Sequence, residues 1–117
     1  MKGKITFERF LQLTNELEIK TGFVRFAERV PKSDKLLKLT VYFGGDDTRI
    51  VVTNLGDKFE PERFIRGIYP FVTNLESSKM MGITSEAMIL ASTSMEGNVN
   101  ILHLNNNSPF LVGATII

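Results

Sequence analysis

The sequence predicts a small all-β domain with short helices, folded as a five-stranded Greek-key barrel. Three observations predict this fold class. Several short segments of the 117-residue chain alternate apolar and polar residues with a period of two, as strands do. Turn-forming Gly, Asp and Pro residues separate these segments. One Pro-containing segment without alternation interrupts the strand series. The chain length suits a single hydrophobic core, so we expect one domain over residues 1–117.

The chain begins with a predicted short helix and continues with a long strand. Thr6 is a suitable N-cap for a helix over Phe7–Leu13, whose apolar side chains would cover one end of the barrel as a lid. Ile19–Val30 follows as the first strand, with Gly22 near its start. Because a Gly inside a strand marks a bulge or a sharp coil, we expect the strand to bend at Gly22.

A hairpin supplies the second and third strands. Pro31–Lys35 is a turn, and Leu36–Phe43 is the most regular strand of the sequence. Gly44–Asp47 closes the hairpin, and Thr48–Thr53 returns along it. Alternation assigns the residues of the second strand to two faces: Leu37, Leu39, Val41 and Phe43 to the core, and Leu36, Lys38, Thr40 and Tyr42 to the other side.

The remaining strands follow a helical insertion. Pro61–Ile65 fits a short helix with Pro in its first turn. Ile68–Val72 is the fourth strand, and Pro70 predicts that it lies at an edge or a bulge because Pro donates no ladder hydrogen bond. Met88–Ser92 and Val99–Leu104 form the final strand pair. An SH3-like barrel has similar strands, but the inserted helix favours the OB-fold, a five-stranded Greek-key barrel.

Composition excludes several classes of function. The chain has no cysteine, which excludes disulfides and thiolate metal sites, and His103 is its only histidine, so we expect no metal or cofactor. No apolar run approaches the ~20 residues that span a bilayer, and the N-terminus lacks a signal-peptide core. Catalytic arrangements of side chains are nearly absent from the sequence. We therefore predict a cytoplasmic, non-enzymatic binding protein.

Basic residues concentrate in the first two thirds of the chain. The net charge is only +1, but Lys79 is the last Lys or Arg in the sequence. OB-folds commonly bind oligonucleotides on one sheet face and its loops, with basic residues for phosphates and aromatic rings for bases. A solvated charged surface is the alternative. The candidates for such a site are Arg25, Lys35, Lys38, Tyr42, Arg49, Lys58 and Lys79.

The stretch Asn74–Leu90, NLESSKMMGITSEAMIL, resembles the motif of the tRNA-binding domain family, which usually reads like N-L-K-P-x-K-M-x-G-x-x-S-x-G-M-I-L. Ile19–Val24 (IKTGFV), Asp34–Leu39 (DKLLKL), Val52–Phe64 (VTNLGDKFEPERF) and Pro109–Ile117 resemble further family blocks in the same order. The family includes the C-terminal domain of bacterial methionyl-tRNA synthetase, stand-alone tRNA-binding proteins and the CsaA secretion chaperones.

This resemblance implies an OB-fold homodimer that binds the outside corner of tRNA by shape and phosphate contacts, and that assists an aminoacyl-tRNA synthetase. Within the motif, Lys79 is the expected phosphate contact and Gly82 the turn residue. The tRNA-binding set also includes Asn74, Ser78, Ser85, Thr53 and Asn54, besides the seven candidates named above. The dimer interface is expected in the C-terminal segment, at Pro109, Phe110, Leu111, Val112, Gly113, Ile116 and Ile117.

The chain departs from the family pattern at several phosphate-facing positions. Glu76 stands where the family has Lys, Ser77 and Ser78 replace Pro and a basic residue, and Asp57 occupies an often basic position. A site with fewer basic residues binds phosphates more weakly, and its affinity depends less on the salt concentration. The resemblance therefore also implies an alternative, a CsaA-like chaperone that binds unfolded or exported polypeptides, for which a cluster of Met80, Met81 and Met88 would be an adaptable surface. A third possibility is a module that only dimerises or docks onto a synthetase.

Overall fold

The computed structural model describes residues 1–105 and 111–116. One helix and nine strands follow one another along the described chain. Two single 3₁₀ turns, Leu55–Asp57 and Pro61–Arg63, lie between the third and fourth strands. The bounds are α1 Phe7–Glu16, β1 Ile19–Arg29, β2 Leu37–Tyr42, β3 Thr48–Thr53, β4 Ile68–Val72, β5 Ser78–Met80, β6 Ile83–Ser85, β7 Met88–Ile89, β8 Ala91–Thr93 and β9 Val99–Ile101.

Five strands form one antiparallel sheet in the order β3-β2-β1-β4-β7, and the sheet curls so that β3 approaches β7. The predicted alternation in β2 is confirmed, because Leu37, Leu39 and Val41 are fully buried and the residues between them are not. β3 and β4 have the predicted bounds. The core lies inside the curl, where Phe64, Tyr69 and Phe71 are its largest buried rings.

The bend predicted at Gly22 lies elsewhere. The register of β1 against β2 shifts between Val24 and Phe26, so the bulge falls at Arg25. Gly22 is instead required for close packing: a Cβ atom there would lie 2.6 Å from Val41 Cγ1 and 2.7 Å from Phe43 Cε1. Gly22 thus leaves space for core side chains.

Pro70 does not lie at a sheet edge, because β4 is flanked by β1 and β7. The Pro70 carbonyl accepts a hydrogen bond from Leu90 N at 3.0 Å. Because the nitrogen and oxygen of a strand residue point to the same side, the Pro70 nitrogen, which carries no hydrogen, also faces the β7 side. The pairing of β4 with β7 includes only Phe71 and Val72. Pro70 is therefore tolerated in an internal strand because it lies where this pairing ends.

Helix α1 is longer than predicted and is not a lid. Thr6 Oγ1 accepts Arg9 N at 3.1 Å, which confirms the predicted cap, but the helix continues to Glu16. None of its residues is buried. Phe7, 72% exposed, and Phe10 stack on each other and remain accessible, as do Leu11 and Leu13. The prediction that this face covers the barrel is therefore wrong.

The segment after β4 differs most from the prediction. The predicted strand Met88–Ser92 is divided into β7, which pairs with β4, and β8, which pairs with β9. The division occurs at Leu90, whose N–H bonds to Pro70. The predicted last strand, Val99–Leu104, ends at Ile101, so His103 lies beyond it. The predicted helix Pro61–Ile65 is the 3₁₀ turn that ends at Arg63.

The C-terminal segment pairs with β1 of its own chain. Thr21 N donates to Ala114 O at 2.9 Å, Gly113 N donates to Thr21 O at 2.8 Å, and Ile116 N donates to Ile19 O at 2.9 Å. Leu111, Val112 and Gly113 are half-buried, whereas the side chain of Ile116 is exposed. The interface residues predicted at Pro109, Phe110 and Ile117 lie outside the described residues.

Candidate nucleic-acid interface

The family motif forms a small hairpin, β5–β6, that the sequence period did not reveal. Met80 pairs with Ile83 across a two-residue turn in which Met81 and Gly82 have φ values of 50° and 81°. Two successive positive φ values define a type I′ hairpin turn. Gly82 therefore has the turn conformation expected of it, and Met81 adopts a left-handed conformation that is uncommon for its residue type.

Lys79 lies on this hairpin with its side chain in solvent. It pairs with Thr84, and both residues are exposed, whereas the neighbouring Met80 is half-buried. Lys79 belongs to none of the ion pairs formed among residues 1–105 and 111–116. Its ammonium group is thus presented on a short, hydrogen-bonded element. Ser78, one residue earlier on β5, is also exposed.

Ser85 joins the hairpin to the sheet. Its hydroxyl accepts Val52 N at 2.9 Å and donates to Ala87 O at 3.1 Å, and the residue is 4% exposed. Thr53, the last residue of β3, is also buried. Two of the residues expected to contact tRNA are therefore buried in this structure, and Ser85 holds the β3–β6 junction.

Asn74 links the end of α1 to the loop that precedes the hairpin. Its Oδ1 accepts Glu18 N at 2.9 Å, and its Nδ2 donates to Glu16 O at 2.7 Å. Thr73 N adds a bond to Glu18 O at 3.0 Å. The amide of Asn74 is thus occupied on both sides by backbone groups of the α1–β1 connection.

Arg49 is likewise engaged within the chain. Its Nε and Nη2 donate to the two carboxylate oxygens of Asp47 at 2.9 and 3.0 Å. Its Nη1 donates to Thr73 O at 2.7 Å, and more weakly to Glu86 O at 3.4 Å. A bidentate pair and two carbonyls occupy most of the five guanidinium donors. Arg49 therefore ties the β2–β3 turn to the segments that flank the hairpin.

Two loops that carry basic residues are bonded to each other. Gly56 N donates to Lys35 O at 2.7 Å, and Arg29 Nη1 donates to Gly56 O at 2.8 Å. This bonding holds the Lys35 loop against the 3₁₀ turn that lies between Asn54 and Lys58. Lys35, Asn54 and Lys58 are all exposed.

A groove lies between the end of β3 and strands β7 to β9. Its volume is about 500 Å³. A smaller cavity of about 110 Å³ lies beside it, against the hairpin, and shares Val52, Met80 and Met88 with it. Residues of both sheet ends line the larger groove: Val52, Thr53, Asn54, Leu55, Met80, Met88, Ile89, Ala91, Thr93 and Val99.

The outer face of β1 and β2 carries a further group. The Arg25 guanidinium carbon lies 4.0 Å from the centroid of the Tyr42 ring, which is cation–π distance. Lys38 Nζ lies 4.0 Å from Glu28 Oε1 on the same face. Phe26, which the sequence did not single out, is 53% exposed there. The only sequence signal for Phe26 was the loss of alternation within the first strand.

Throughout the part of the chain that the structure describes, no group of three or more His, Asp and Glu is placed to hold a metal ion. No helix in that part is long and apolar enough to cross a membrane. His103 packs against Tyr69, with ring centroids 5.3 Å apart.

The molecule has the features of a small oligonucleotide-binding barrel. These features are the curled five-stranded sheet, the exposed Lys79 hairpin, the two basic loops and the outer face with Arg25 and Tyr42. A family model described as a putative tRNA binding domain matches residues 19–111. The chain belongs to this family, as the motif blocks predicted.

Curated relatives are methionine–tRNA ligases. The ligase of Methanococcoides burtonii is 38% identical over 101 residues, which are 86% of this chain and 14% of the ligase. The ligase of Helicobacter pylori is 32% identical over 117 residues, 98% of this chain and 17% of the ligase. The chain thus spans less than a fifth of the length of these relatives.

Solved structures confirm the OB-fold. A methionyl-tRNA synthetase-related protein from Pyrococcus horikoshii superposes with a TM-score of 0.85 at 28% identity, covering 99% of this chain and 100% of that one. The chaperone CsaA from Bacillus anthracis superposes with a TM-score of 0.76 at 25% identity, covering 98% of this chain and 100% of that one.

Proposed function

We propose that this domain binds tRNA without catalysis, through tRNA shape and the phosphate backbone, and that it assists an aminoacyl-tRNA synthetase. The observation that carries the proposal is the family match over residues 19–111. The exposed Lys79 on an ordered hairpin supports it. The likeness to methionine–tRNA ligases supports the link to a synthetase, and the cytoplasmic location expected from the sequence belongs to the same proposal.

The proposed contacts fall into two classes. Lys79, Ser78 and Gly82 on the hairpin, and Lys35, Asn54 and Lys58 on the basic loops, are exposed and face the tRNA directly. Asn74, Ser85 and Arg49 hold these elements through the bonds described above, and Thr53 is buried at the end of β3. Arg25, Lys38 and Tyr42 form a separate contact on the β1–β2 face.

Few phosphate contacts are expected, because the acidic residues Glu76 and Asp57 lie exposed among these basic residues. Each phosphate contact contributes roughly 0.7–0.9 to the slope of log affinity against log salt concentration. We therefore expect binding that saturates and weakens with salt, but with a small slope.

The test is a fluorescence-anisotropy titration of the protein with total tRNA at about 50 and 200 mM salt, the range over which phosphate contacts lose affinity. Lys79→Glu should weaken binding at least ~10-fold at the lower salt, since it replaces an attraction to phosphate by a repulsion. Lys4→Glu, the matched charge reversal in the exposed N-terminal residues, should change affinity little. If binding is neither saturable nor salt-sensitive, the tRNA proposal fails. If Lys79→Glu and Lys4→Glu behave alike, the hairpin is not the contact.

The groove favours a second candidate function, the binding of unfolded or exported polypeptides as in a CsaA-like chaperone. Its volume of about 500 Å³ and its flexible lining residues Met80 and Met88 suit an adaptable apolar ligand. The test is suppression of the aggregation of an unfolded client by the protein. Suppression that persists in excess tRNA supports polypeptide binding, and Met88→Glu should abolish it. No suppression at any ratio would exclude this function.

We further propose a homodimer that includes the C-terminal segment and the exposed face of α1. Pairing of that segment with β1 leaves the Ile116 side chain exposed, and Ile19, to which Ile116 N donates, begins β1 three residues after α1 ends. Ile116→Asp and Phe10→Asp should shift sedimentation from dimer to monomer without unfolding the chain. A wild-type protein that sediments as a monomer at micromolar concentration would refute the dimer, and would leave a module that docks onto a synthetase as the alternative.

A further inference from the structure

Four residues on the outer face of β1 and β2, Arg25, Phe26, Lys38 and Tyr42, form a continuous aromatic and cationic surface, the β1–β2 platform. Phe26 pairs with Thr40, which lies between Lys38 and Tyr42 on the outward side of β2. Residues opposite each other across an antiparallel pair lie on the same face, and diagonal neighbours lie about 7–8 Å apart. The Phe26 and Tyr42 rings are therefore diagonal neighbours with Arg25 between them.

The bulge creates this surface. Before it, Phe23 pairs with Tyr42 and Val24 with Val41, and after it Phe26 pairs with Thr40. Arg25 is left without a partner in β2, and the alternation changes phase by one residue. As a result Phe26 points to the outer face, where it is 53% exposed. Bulges often redirect side chains in this way next to functional sites.

The charge on the platform is positive. Arg25 takes part in no ion pair within residues 1–105 and 111–116, and its guanidinium lies over the Tyr42 ring. Lys38 Nζ lies 4.0 Å from Glu28 Oε1. Because both side chains are partly exposed to solvent, this ion pair is weak. Arg66 N donates to Val24 O at 2.8 Å, which places a second exposed arginine beside the bulge.

We propose that the β1–β2 platform binds unpaired bases of RNA by stacking, so that it contacts a loop or single-stranded end of the tRNA while Lys79 contacts the phosphate backbone. This inference rests on the proposed tRNA binding and names the part of the RNA that the platform recognises. Exposed aromatic rings and arginine planes stack on any base, because every base has a π-face. Paired bases in a stem are already stacked and hidden, so a stem offers the platform no such surface.

The experiment uses the full chain with Phe26→Trp, which introduces the only tryptophan, because the chain contains none. Tryptophan emission is followed during titration with a single-stranded oligoribonucleotide of about eight mixed bases, a length within the site size of one OB-fold. A separate titration uses the duplex of the same oligoribonucleotide at equal phosphate concentration. Saturable quenching by the single strand, and at least ~10-fold weaker quenching by the duplex, is expected for stacking. Equal responses to the two RNAs, or no quenching by either, would overturn the proposal.

A second measurement avoids the introduced probe. Phe26→Ala should weaken tRNA binding by about 10-fold, within the range found for loss of one stacked base, and Phe26→Tyr should restore it. Met95→Ala removes a fully exposed apolar side chain between β8 and β9 and is the control, for which no change is expected. Phe26 is exposed, so its replacement leaves the core intact.

The outcomes separate this inference from the proposed function. If wild-type protein binds tRNA and Phe26→Ala binds it equally well, the platform is refuted and tRNA binding stands. If the protein does not bind tRNA but the single strand quenches the tryptophan emission of the Phe26→Trp variant, the proposed function fails and the platform stands as a single-strand site. If neither RNA binds, both proposals fall.

Discussion

Strands β1 to β4 bury the side chains of their inner face, whereas the stretch from Asn74 to Ile101 exposes most of its own. The eight largest fully buried side chains of the described chain all lie between Val24 and Phe71. Between Asn74 and Ile101 only Ser85, Ala87 and Ile89 are buried, and the strands are two or three residues long.

This difference separates the part of the chain that carries most of the stability from the part that carries the family motif. Long paired strands and buried rings provide the free energy of folding, to which exposed residues contribute little. The family motif is attached to this framework at a few buried points, of which Ser85 is the most polar. Lys79 and its neighbours can therefore change without loss of the fold, and the departures at Glu76, Ser77 and Ser78 fall in this tolerant stretch.

Removal of a core ring should have the largest effect on stability. Phe71→Ala deletes a fully buried side chain that packs edge-on against Phe43, with ring centroids 5.3 Å apart. We expect a loss of about 3–5 kcal/mol in the free energy of unfolding, measured by urea denaturation. Met95→Ala, at a fully exposed position of the other region, should leave the midpoint unchanged. A loss below about 1 kcal/mol for Phe71→Ala would mean that the core is elsewhere.

Ser85→Ala should cost about 1–3 kcal/mol, because it leaves the buried Val52 N–H without an acceptor. The exposed Ser78→Ala on the same hairpin is the control and should be neutral. Hydrogen exchange at Val52 should accelerate in the first variant only. If the two variants are equally stable, Ser85 does not anchor the motif, and its expected role as a direct contact to tRNA is the better explanation.

Tyr69 connects the barrel to the segment after β9, since its ring packs against Phe64 and His103. Burial raises the pKa of Tyr69 above its ordinary value of 10.0, and the nearby Arg63 lowers it in part. The folded state therefore favours the neutral phenol. Its contribution to stability is complete below pH 10 and is lost as the pH rises through the higher pKa of the folded state.

We therefore expect the free energy of unfolding to fall above about pH 10, and to fall less in Tyr69→Phe. Lysines also titrate in this range, so the informative quantity is the difference between the wild type and the variant in urea midpoints from about pH 8 to 11. Tyr42→Phe, on the outer face, should retain the full decrease. Parallel curves for wild type and Tyr69→Phe would show that this phenol does not sense the pH.

Elements determined by local sequence could be predicted, and elements determined by distant contacts could not. The bounds of β3 and β4 follow from alternation and turn residues, which act within a few positions. The division between β7 and β8 depends on a hydrogen bond from Leu90 to Pro70, far apart in the sequence. The sequence could not show whether the apolar face of α1 packs on the barrel or stays exposed, because an amphipathic pattern does not indicate which surface covers the apolar face.

The candidate site shows the same limit. The motif predicted a turn at Gly82, which has the positive φ of a turn residue, and a phosphate contact at Lys79, which is exposed. The contact itself stays a prediction. It could not show that the donors of Arg49 and the amide of Asn74 are occupied within the chain, since their partners, apart from Asp47, lie far away in sequence. Phe26 was missed because a one-residue bulge reverses the faces of a strand.

The hairpin turn offers the smallest and most specific change. Met81→Asn creates an Asn-Gly pair, the preferred type I′ turn, at a residue that is exposed and already has φ of 50°. Relief of the left-handed strain should stabilise the hairpin by about 0.5 kcal/mol. Because only short strands and a few buried groups join the hairpin to the barrel, the gain should slow amide exchange across the Met80–Ile83 turn while the global urea midpoint stays constant. If the midpoint rises by the same amount, the hairpin unfolds together with the barrel. The two regions would then differ in what they expose but not in how they fold.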